Sequence, residues 1–103
     1  LVQPETAGNF PVDPEALAVF GSDNRGLHLI RPVASWARDN GLAHNPSIGG
    51  HFAITVPALD ALMGRLDDMG VPYSDAGSIA MKGFRQVFCF DPAMNLVEFN
   101  GPV

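Results

Sequence analysis

The sequence predicts an α+β fold in which several short strands pack against one amphipathic helix. The segments HFAITV, FRQVFCF and LVEFN are rich in aromatic and β-branched residues, as strands usually are. Between the first two of these segments, apolar residues recur at helical spacing, and Gly70 follows the last of them. Residues 51–100 therefore predict a strand, a helix and two or three further strands. The rest of the chain is organised around this unit.

Composition and charge exclude several classes of protein. A length of 103 residues predicts one domain, and 47% hydrophobic with 17% charged residues is typical of a chain that forms a core. The net charge is −5 and Lys and Arg form no run, which argues against nucleic-acid binding. No apolar run approaches the roughly 20 residues that span a bilayer, so we expect no membrane association. Cys89 is the only cysteine and no secretory signal is visible, which favours a reducing, cytoplasmic location.

The first part of the chain predicts a loop followed by a β-hairpin. Residues 1–15 are rich in turn-forming residues and predict the remnant of an entry strand followed by a loop. ALAVF and LHLI predict two strands joined by the turn sequence GSDNRG. Because strand side chains alternate, Leu27 and Leu29 share one face, while His28 and Ile30 share the other.

A short helix and a linker are predicted between the hairpin and the 51–100 unit. The helix covers residues 32–40, with Pro32 in its first turn and Gly41 at its end. Its apolar face carries Val33, Trp36 and Ala37. Residues 41–50 predict a linker, in which we expect His44 to be a solvated loop residue.

The strand at residues 51–56 has two different faces. The large apolar side chains of Phe52, Ile54 and Val56 point one way, and we expect the following helix to cover them. His51, Ala53 and Thr55 point the other way, as expected of a face that lines a cavity. The helix is predicted for residues 57–69, with Pro57 in its first position. Its apolar stripe comprises Leu59, Leu62, Met63, Leu66 and Met69.

The final strands place a carboxylate on the face opposite the helix. Residues 71–77 predict a short edge strand, and Asp91-Pro92 starts a tight turn before the last strand. In LVEFN, Val97 and Phe99 face the helix, whereas Glu98 faces away from it. Burying Glu98 is costly unless a cation or a metal ion pairs with it. If the strands are neighbours, His51 and Glu98 point into one site.

These segments together are similar to a known family. His51 at the head of a strand, followed by LMGRLDDMGVPY and RQVFCFDPAMNLVEF, resembles the vicinal oxygen chelate superfamily of glyoxalase I, extradiol dioxygenases and bleomycin-binding proteins. The resemblance covers residues 51–100, about half of the chain. It implies paired βαβββ modules that form a curled mixed sheet around a cleft, within a single domain of residues 1–103. Residues 49–103 would form the second module, and residues 1–48 a linker and a first module that is incomplete at its start.

The resemblance also implies a metal site. In that family, side chains from the first and last strands of each module hold a divalent metal ion, here Zn, Fe, Mn or Ni. It assigns His51 and Glu98 as metal ligands from the second module, His28 as a ligand from the first, and Glu98 as a catalytic residue. A small-molecule substrate with suitable oxygen atoms could then chelate the ion.

The first module departs from the family, because its opening strand and helix have no counterpart in this chain. Either the chain begins too late or a partner chain completes the site. Such a half-completed pair leaves an open sheet edge, so we expect a homodimer. The family also commonly has glycine where Met94 stands. Met94 tolerates a left-handed conformation poorly, so we expect a different turn type there with the hairpin intact.

Two classes of function remain open. The first is a metal-dependent lyase, isomerase or dioxygenase, which His28, His51 and Glu98 favour. The second is a metal-free protein of the same fold that sequesters an apolar or aromatic ligand, which the missing first strand favours. The alternative to a metal site is a purely structural one, in which Glu98 pairs with Arg85 or Arg31 and His51 forms a hydrogen bond with a backbone carbonyl.

Overall fold

The predicted α+β class is confirmed in the parts of the chain that the structure describes. A computed structural model describes residues 17–22, 25–78 and 83–103, with side chains from residue 26 onward. The elements are β1 (Leu17–Ser22), β2 (Arg25–Ile30), α1 (Trp36–Asp39), β3 (Phe52–Thr55), α2 (Leu59–Asp68), β4 (Tyr73–Gly77), β5 (Phe84–Phe90) and β6 (Leu96–Pro102). Neither α1 nor α2, the helices of the described ranges, is long and apolar enough to cross a membrane.

The predicted hairpin is present as the antiparallel pair β1 and β2. Leu17 lies opposite Ile30, and the register continues to Ser22 opposite Arg25. Leu27 and Leu29 are exposed, while His28 and Ile30 between and beyond them are half-buried, as strand alternation requires. The strand remnant and loop predicted for residues 1–15 and the centre of the hairpin turn lie outside the described residues.

The second half of the chain forms one βαβββ unit around a four-stranded mixed sheet. The strand order is β3-β6-β5-β4. β3 runs parallel to β6, whereas β6 with β5 and β5 with β4 are antiparallel. β4 lies at one sheet edge, as predicted. The crossover from β3 through α2 places the first and last strands of the unit side by side.

Helix α2 packs one apolar face against the sheet, which is the main core of the unit. Leu59, Met63 and Leu66 are buried against Val87 of β5, and Leu62 is half-buried. A Cβ atom at Gly101 would lie 2.6 Å from the carbonyl oxygen of Val56. Glycine at this position therefore allows the backbone just before α2 to pack closely on β6.

Two details of the predicted helix are wrong. It starts at Leu59 and not at Pro57, because the amide of Val56 still bonds Asn100 of β6 and the chain turns through the next two residues. Met69 is 68% exposed and does not belong to the buried stripe, because it caps the last turn. Gly70 follows with φ +69 and ends the helix as predicted.

The prediction that α2 covers the apolar face of β3 is also wrong. Phe52 is 54% exposed and Ile54 is 44% exposed. β3 lies at the edge of the sheet, while α2 lies over the inner strands β5 and β6. Only Val56, at the end of the strand, packs against the helix cluster.

The opposite sheet face carries a second, smaller core. Trp36 is buried with Phe88 and Leu96, and its ring meets that of Phe88 edge-on at 6.5 Å. The helix that holds Trp36 is shorter than the predicted 32–40, since it spans only Trp36–Asp39. The residues before this helix are not helical, and they bind the 41–50 linker through a hydrogen bond from the amide of Val33 to Ser47 Oγ. Gly41 ends the helix with φ +68, as predicted.

The turn between β5 and β6 keeps a left-handed residue without glycine. Met94 has φ +66, so the expectation of a different turn type is wrong. Asp91 compensates for this strain, because its side chain accepts hydrogen bonds from the amides of Ala93 and Asn95 and from the Asn95 side chain. These bonds hold the pKa of the Asp91 carboxyl below its ordinary value.

Candidate functional site

His51 and Glu98 meet on one face of the sheet. Ala53 lies opposite Glu98 in the parallel pair of β3 and β6, and His51 precedes Ala53 by two residues, so it shares that face. The Nε2 atom of His51 lies 3.4 Å from Oε1 of Glu98, and their side chains are 14% and 9% exposed. A histidine and a carboxylate are thus brought together in a largely desolvated place.

Two amide side chains complete the surroundings of the Glu98 carboxylate. Gln86 Nε2 donates to Oε1 at 3.0 Å, and Asn100 Nδ2 donates to Oε2 at 2.7 Å. Thr55 Oγ1 in turn donates to Asn100 Oδ1 at 2.7 Å. These donors compensate for the burial of the carboxylate, which would otherwise be costly.

Two polar atoms in this cluster have no partner. Nδ1 of His51 and Oε1 of Gln86 are buried without a hydrogen bond among the described residues. Buried polar atoms are normally satisfied, so each such exception needs an explanation. The Gln86 amide lies beside Glu98, so its unpaired oxygen points to a ligand or an ion that belongs at the site.

The His51 ring is part of the lining of an open groove. It meets the Phe88 ring edge-on, with ring centroids 5.8 Å apart. The groove has a volume of about 710 Å³. Its lining is mainly apolar and comprises Asn45, Ile48, Gly49, Gly50, His51, Phe52, Phe90, Met94, Asn95 and Leu96. A small molecule in the groove would contact His51 directly.

Arg85 does not neutralise Glu98, so the predicted alternative of an ion pair between these two residues is wrong. Its guanidinium binds Asp60 of α2 and Asp75 of β4, each at 2.7 Å. The hydrogen bond from Arg85 holds the pKa of the Asp75 carboxyl below its ordinary value. Arg85 therefore ties α2 to β4, and the described partners of Glu98 are His51, Gln86 and Asn100.

The third predicted ligand, His28, lies elsewhere in the described chain. It is a half-buried residue of β2 in the separate two-stranded sheet. Within residues 17–22, 25–78 and 83–103, no group of three or more His, Cys, Asp or Glu side chains could hold a metal ion. The described part of one chain therefore offers His51 and Glu98 as a pair, without His28.

His44 is a buried structural residue, so the expectation of a solvated loop histidine is wrong. It is 4% exposed, and its Nδ1 lies 2.6 Å from Oγ of Ser74, which is also buried. Ser74 Oγ accepts hydrogen bonds from the amides of Ala43 and His44, so its own proton is free for His44 Nδ1. Burial lowers the pKa of His44. The pair fastens the linker to β4, and neither group is accessible for nucleophilic chemistry.

Cys89 does not offer a reactive thiolate. It is buried in β5, and burial raises the pKa of its thiol above the ordinary value. A buried thiol of raised pKa stays protonated at neutral pH and is a poor nucleophile.

Gln86 and Asn100 both contact Glu98 and were not predicted from the sequence as site residues. For Gln86 a signal was present. The signal was a single amide residue inside the apolar segment FRQVFCF, on the same alternating face as Phe88. Its importance depends on register, because Gln86 lies opposite Asn100 and reaches Glu98 diagonally.

Comparison of the chain with protein-family models, curated proteins and solved structures finds no match. Function is therefore inferred from the geometry around His51 and Glu98.

Proposed function

We propose that this protein is a metal-dependent lyase, isomerase or dioxygenase of the glyoxalase-like class, which acts on a small oxygenated substrate. The observation that carries the proposal is the 3.4 Å separation of His51 Nε2 and Glu98 Oε1. Two ligand atoms that each lie about 2.0–2.2 Å from a tetrahedral zinc ion stand roughly 3.3–3.6 Å apart. The pair thus has the spacing of two ligands of one ion.

The residues present fit a divalent ion in chemistry as well as in spacing. An imidazole nitrogen and a carboxylate oxygen are ligands for Zn²⁺, Fe²⁺, Mn²⁺ or Ni²⁺. When bound, the ion would supply stabilisation of developing negative charge on the substrate, or reaction with dioxygen in the case of Fe²⁺. The unpaired Oε1 of Gln86 also supports a site whose ligand set is incomplete.

The chain's own residues would place the substrate beside that ion. The apolar groove next to His51 would bind the body of a small molecule and exclude water from its reactive end. A hydrogen bond from the side-chain amide of Asn100 would keep the Glu98 carboxylate oriented while it acts as a ligand and catalytic residue.

Paired βαβββ modules belong to the same proposal. The chain supplies one βαβββ unit with its first and last strands side by side. The second half of the cleft would come from a second copy of the chain, whose His28 could face His51 and Glu98. A homodimer would then be the active form.

A metal-free binding protein is the second candidate, and the apolar lining of the groove favours it. Metal analysis separates the two. We expect the parent to bind one of Zn²⁺, Fe²⁺, Mn²⁺ or Ni²⁺ in equilibrium dialysis. His51→Ala and Glu98→Gln should each weaken that binding at least about tenfold.

The matched control is His44→Asn, which removes another buried histidine that contacts Ser74 and not Glu98. It should bind the metal as the parent does. Unchanged binding in both His51→Ala and Glu98→Gln, or no binding in the parent, would remove the enzyme proposal. A binding protein would then remain, to be tested by fluorescence titration with small aromatic ligands.

A further inference from the structure

We propose that Gln86 is a third protein ligand of the metal ion, through its side-chain Oε1. This inference rests on the proposed metal site at His51 and Glu98, and it removes the need for His28 within a single chain. The observation behind it is that two side chains, those of His51 and Gln86, converge on the same oxygen atom of Glu98.

The convergence follows from the order of the strands. β6 lies between β3 and β5. His51 approaches Glu98 Oε1 from the β3 side at 3.4 Å, and Gln86 Nε2 approaches the same atom from the β5 side at 3.0 Å. Glu98 Oε1 is therefore the shared point of contact, and the Gln86 amide group lies directly beside it.

The amide of Gln86 is only half satisfied. The residue is 7% exposed, and its Oε1 is buried without a partner among the described residues. Asn100 shows the contrast, since its amide donates to Glu98 Oε2 and accepts from Thr55 Oγ1. Asn100 thus has a complete structural role, whereas Gln86 retains one free acceptor.

A half-turn of the Gln86 amide exchanges its oxygen and its nitrogen. In the structure the N–H group, which carries partial positive charge, faces the carboxylate. A cation held by His51 and Glu98 would take over that position, and the amide oxygen would turn toward it. The Gln86 oxygen would then be bound to the ion, at the cost of the hydrogen bond from its N–H group to Glu98. The ion would have one nitrogen and two oxygen ligands, a set that divalent transition metals accept.

Substitution at Gln86 distinguishes a ligand from a hydrogen-bond donor. Gln86→Met removes both amide atoms at similar volume. Gln86→Glu keeps an oxygen ligand but cannot donate to Glu98. If Gln86 only orients Glu98 by donating a hydrogen bond, both variants should lose affinity. If Gln86 is a ligand, only Gln86→Met should.

We would titrate the full chain with Zn²⁺ against a chromophoric chelator and record the visible spectrum with Co²⁺. Gln86→Met should bind Zn²⁺ at least about tenfold more weakly than the parent, and Gln86→Glu within about threefold of it or more tightly. The Co²⁺ absorption of Gln86→Glu should differ from that of the parent, because an amide oxygen is replaced by a carboxylate. His44→Asn, which removes a buried histidine that makes no contact with Glu98, is again the control and should bind as the parent does.

Several results would overturn the inference. Parent-like affinity in Gln86→Met, while His51→Ala loses the metal, would remove Gln86 alone and leave the metal site standing. Equal losses in Gln86→Met and Gln86→Glu would reduce Gln86 to a hydrogen-bond donor. If Gln86→Met does not fold, Gln86→Glu decides, since a tenfold loss there is enough to reject the ligand role. No metal binding by the parent would remove the metal site and this inference together.

Discussion

At the scale of single residues, Met94 carries backbone strain that glycine would relieve. It has φ +66 and is 68% exposed. A left-handed conformation costs a non-glycine residue roughly 1–2 kcal/mol, of which the greater flexibility of glycine in the unfolded chain cancels a part. We expect Met94→Gly to raise the free energy of unfolding by about 0.5–1 kcal/mol in urea denaturation. Met94→Ala keeps the strain and should give no gain; an equal gain in both variants would contradict this explanation.

His44 should make stability depend on pH. Burial lowers its pKa from the ordinary 6.5, so the folded state binds this proton less readily than the unfolded state. The contribution is therefore complete above about pH 6.5 and is lost as the pH falls through the folded-state pKa. Protonation would also place an N–H against Ser74 Oγ, which already accepts two amide hydrogen bonds.

The measurement is urea denaturation at about pH 7.5 and about pH 5.5. The parent should lose stability between the two, and His44→Asn, which keeps an acceptor near the position of Nδ1, should lose less. An identical loss in parent and variant would assign the dependence to other titratable groups.

The wrong prediction for His44 shows that a sequence does not reveal contacts between residues that are distant along the chain. Its burial depends on a hydrogen bond to Ser74, which lies 30 residues away. The unpaired oxygen of Gln86 likewise depends on the register between β5 and β6. Glu98 was visible because a carboxylate in an apolar strand is costly wherever that strand lies.

At the scale of elements, helix α2 should owe its stability to one face. Leu66 is buried in the core with Val87, while Met69 is 68% exposed. Leu66→Ala should lower the free energy of unfolding by about 2–5 kcal/mol, because it leaves a cavity. Met69→Ala should cost less than about 0.5 kcal/mol, as surface substitutions usually do. Equal costs in chemical denaturation would mean that the helix packs through a different face.

The order of the elements was predictable because its signals are local. The strand β5, the stop at Gly70 and the turn at Asp91 all follow from residues close together in the sequence. The exposure of the apolar side chains of β3 was not predictable in this way. Alternation assigns Phe52 and Ile54 to the face of the sheet that carries the helix. Only the strand order shows that their strand lies at the sheet edge, where the helix does not cover it.

At the scale of the whole molecule, we expect a homodimer. β3 lies at an edge of the sheet and pairs only with β6 in the described part of the chain. The exposed side chains of Phe52 and Ile54 add apolar surface to that edge, and natural proteins seldom leave such edges uncovered. Light scattering at micromolar concentration should give twice the chain mass of 11.0 kDa.

Ile54→Lys tests whether this edge makes the contact. It should shift the dimer toward monomer without changing the far-UV circular dichroism, since Ile54 is 44% exposed in one chain. A parent that stays monomeric would contradict the dimer and would require the site to close within one chain.

The central claim is that His51 and Glu98 bind one divalent ion, and crystals grown with Zn²⁺ test it most directly. An anomalous difference map recorded at the zinc absorption edge should show a peak about 2.0–2.2 Å from both His51 Nε2 and Glu98 Oε1. A map with no peak between these two atoms, or with zinc bound only elsewhere on the protein, would contradict the claim.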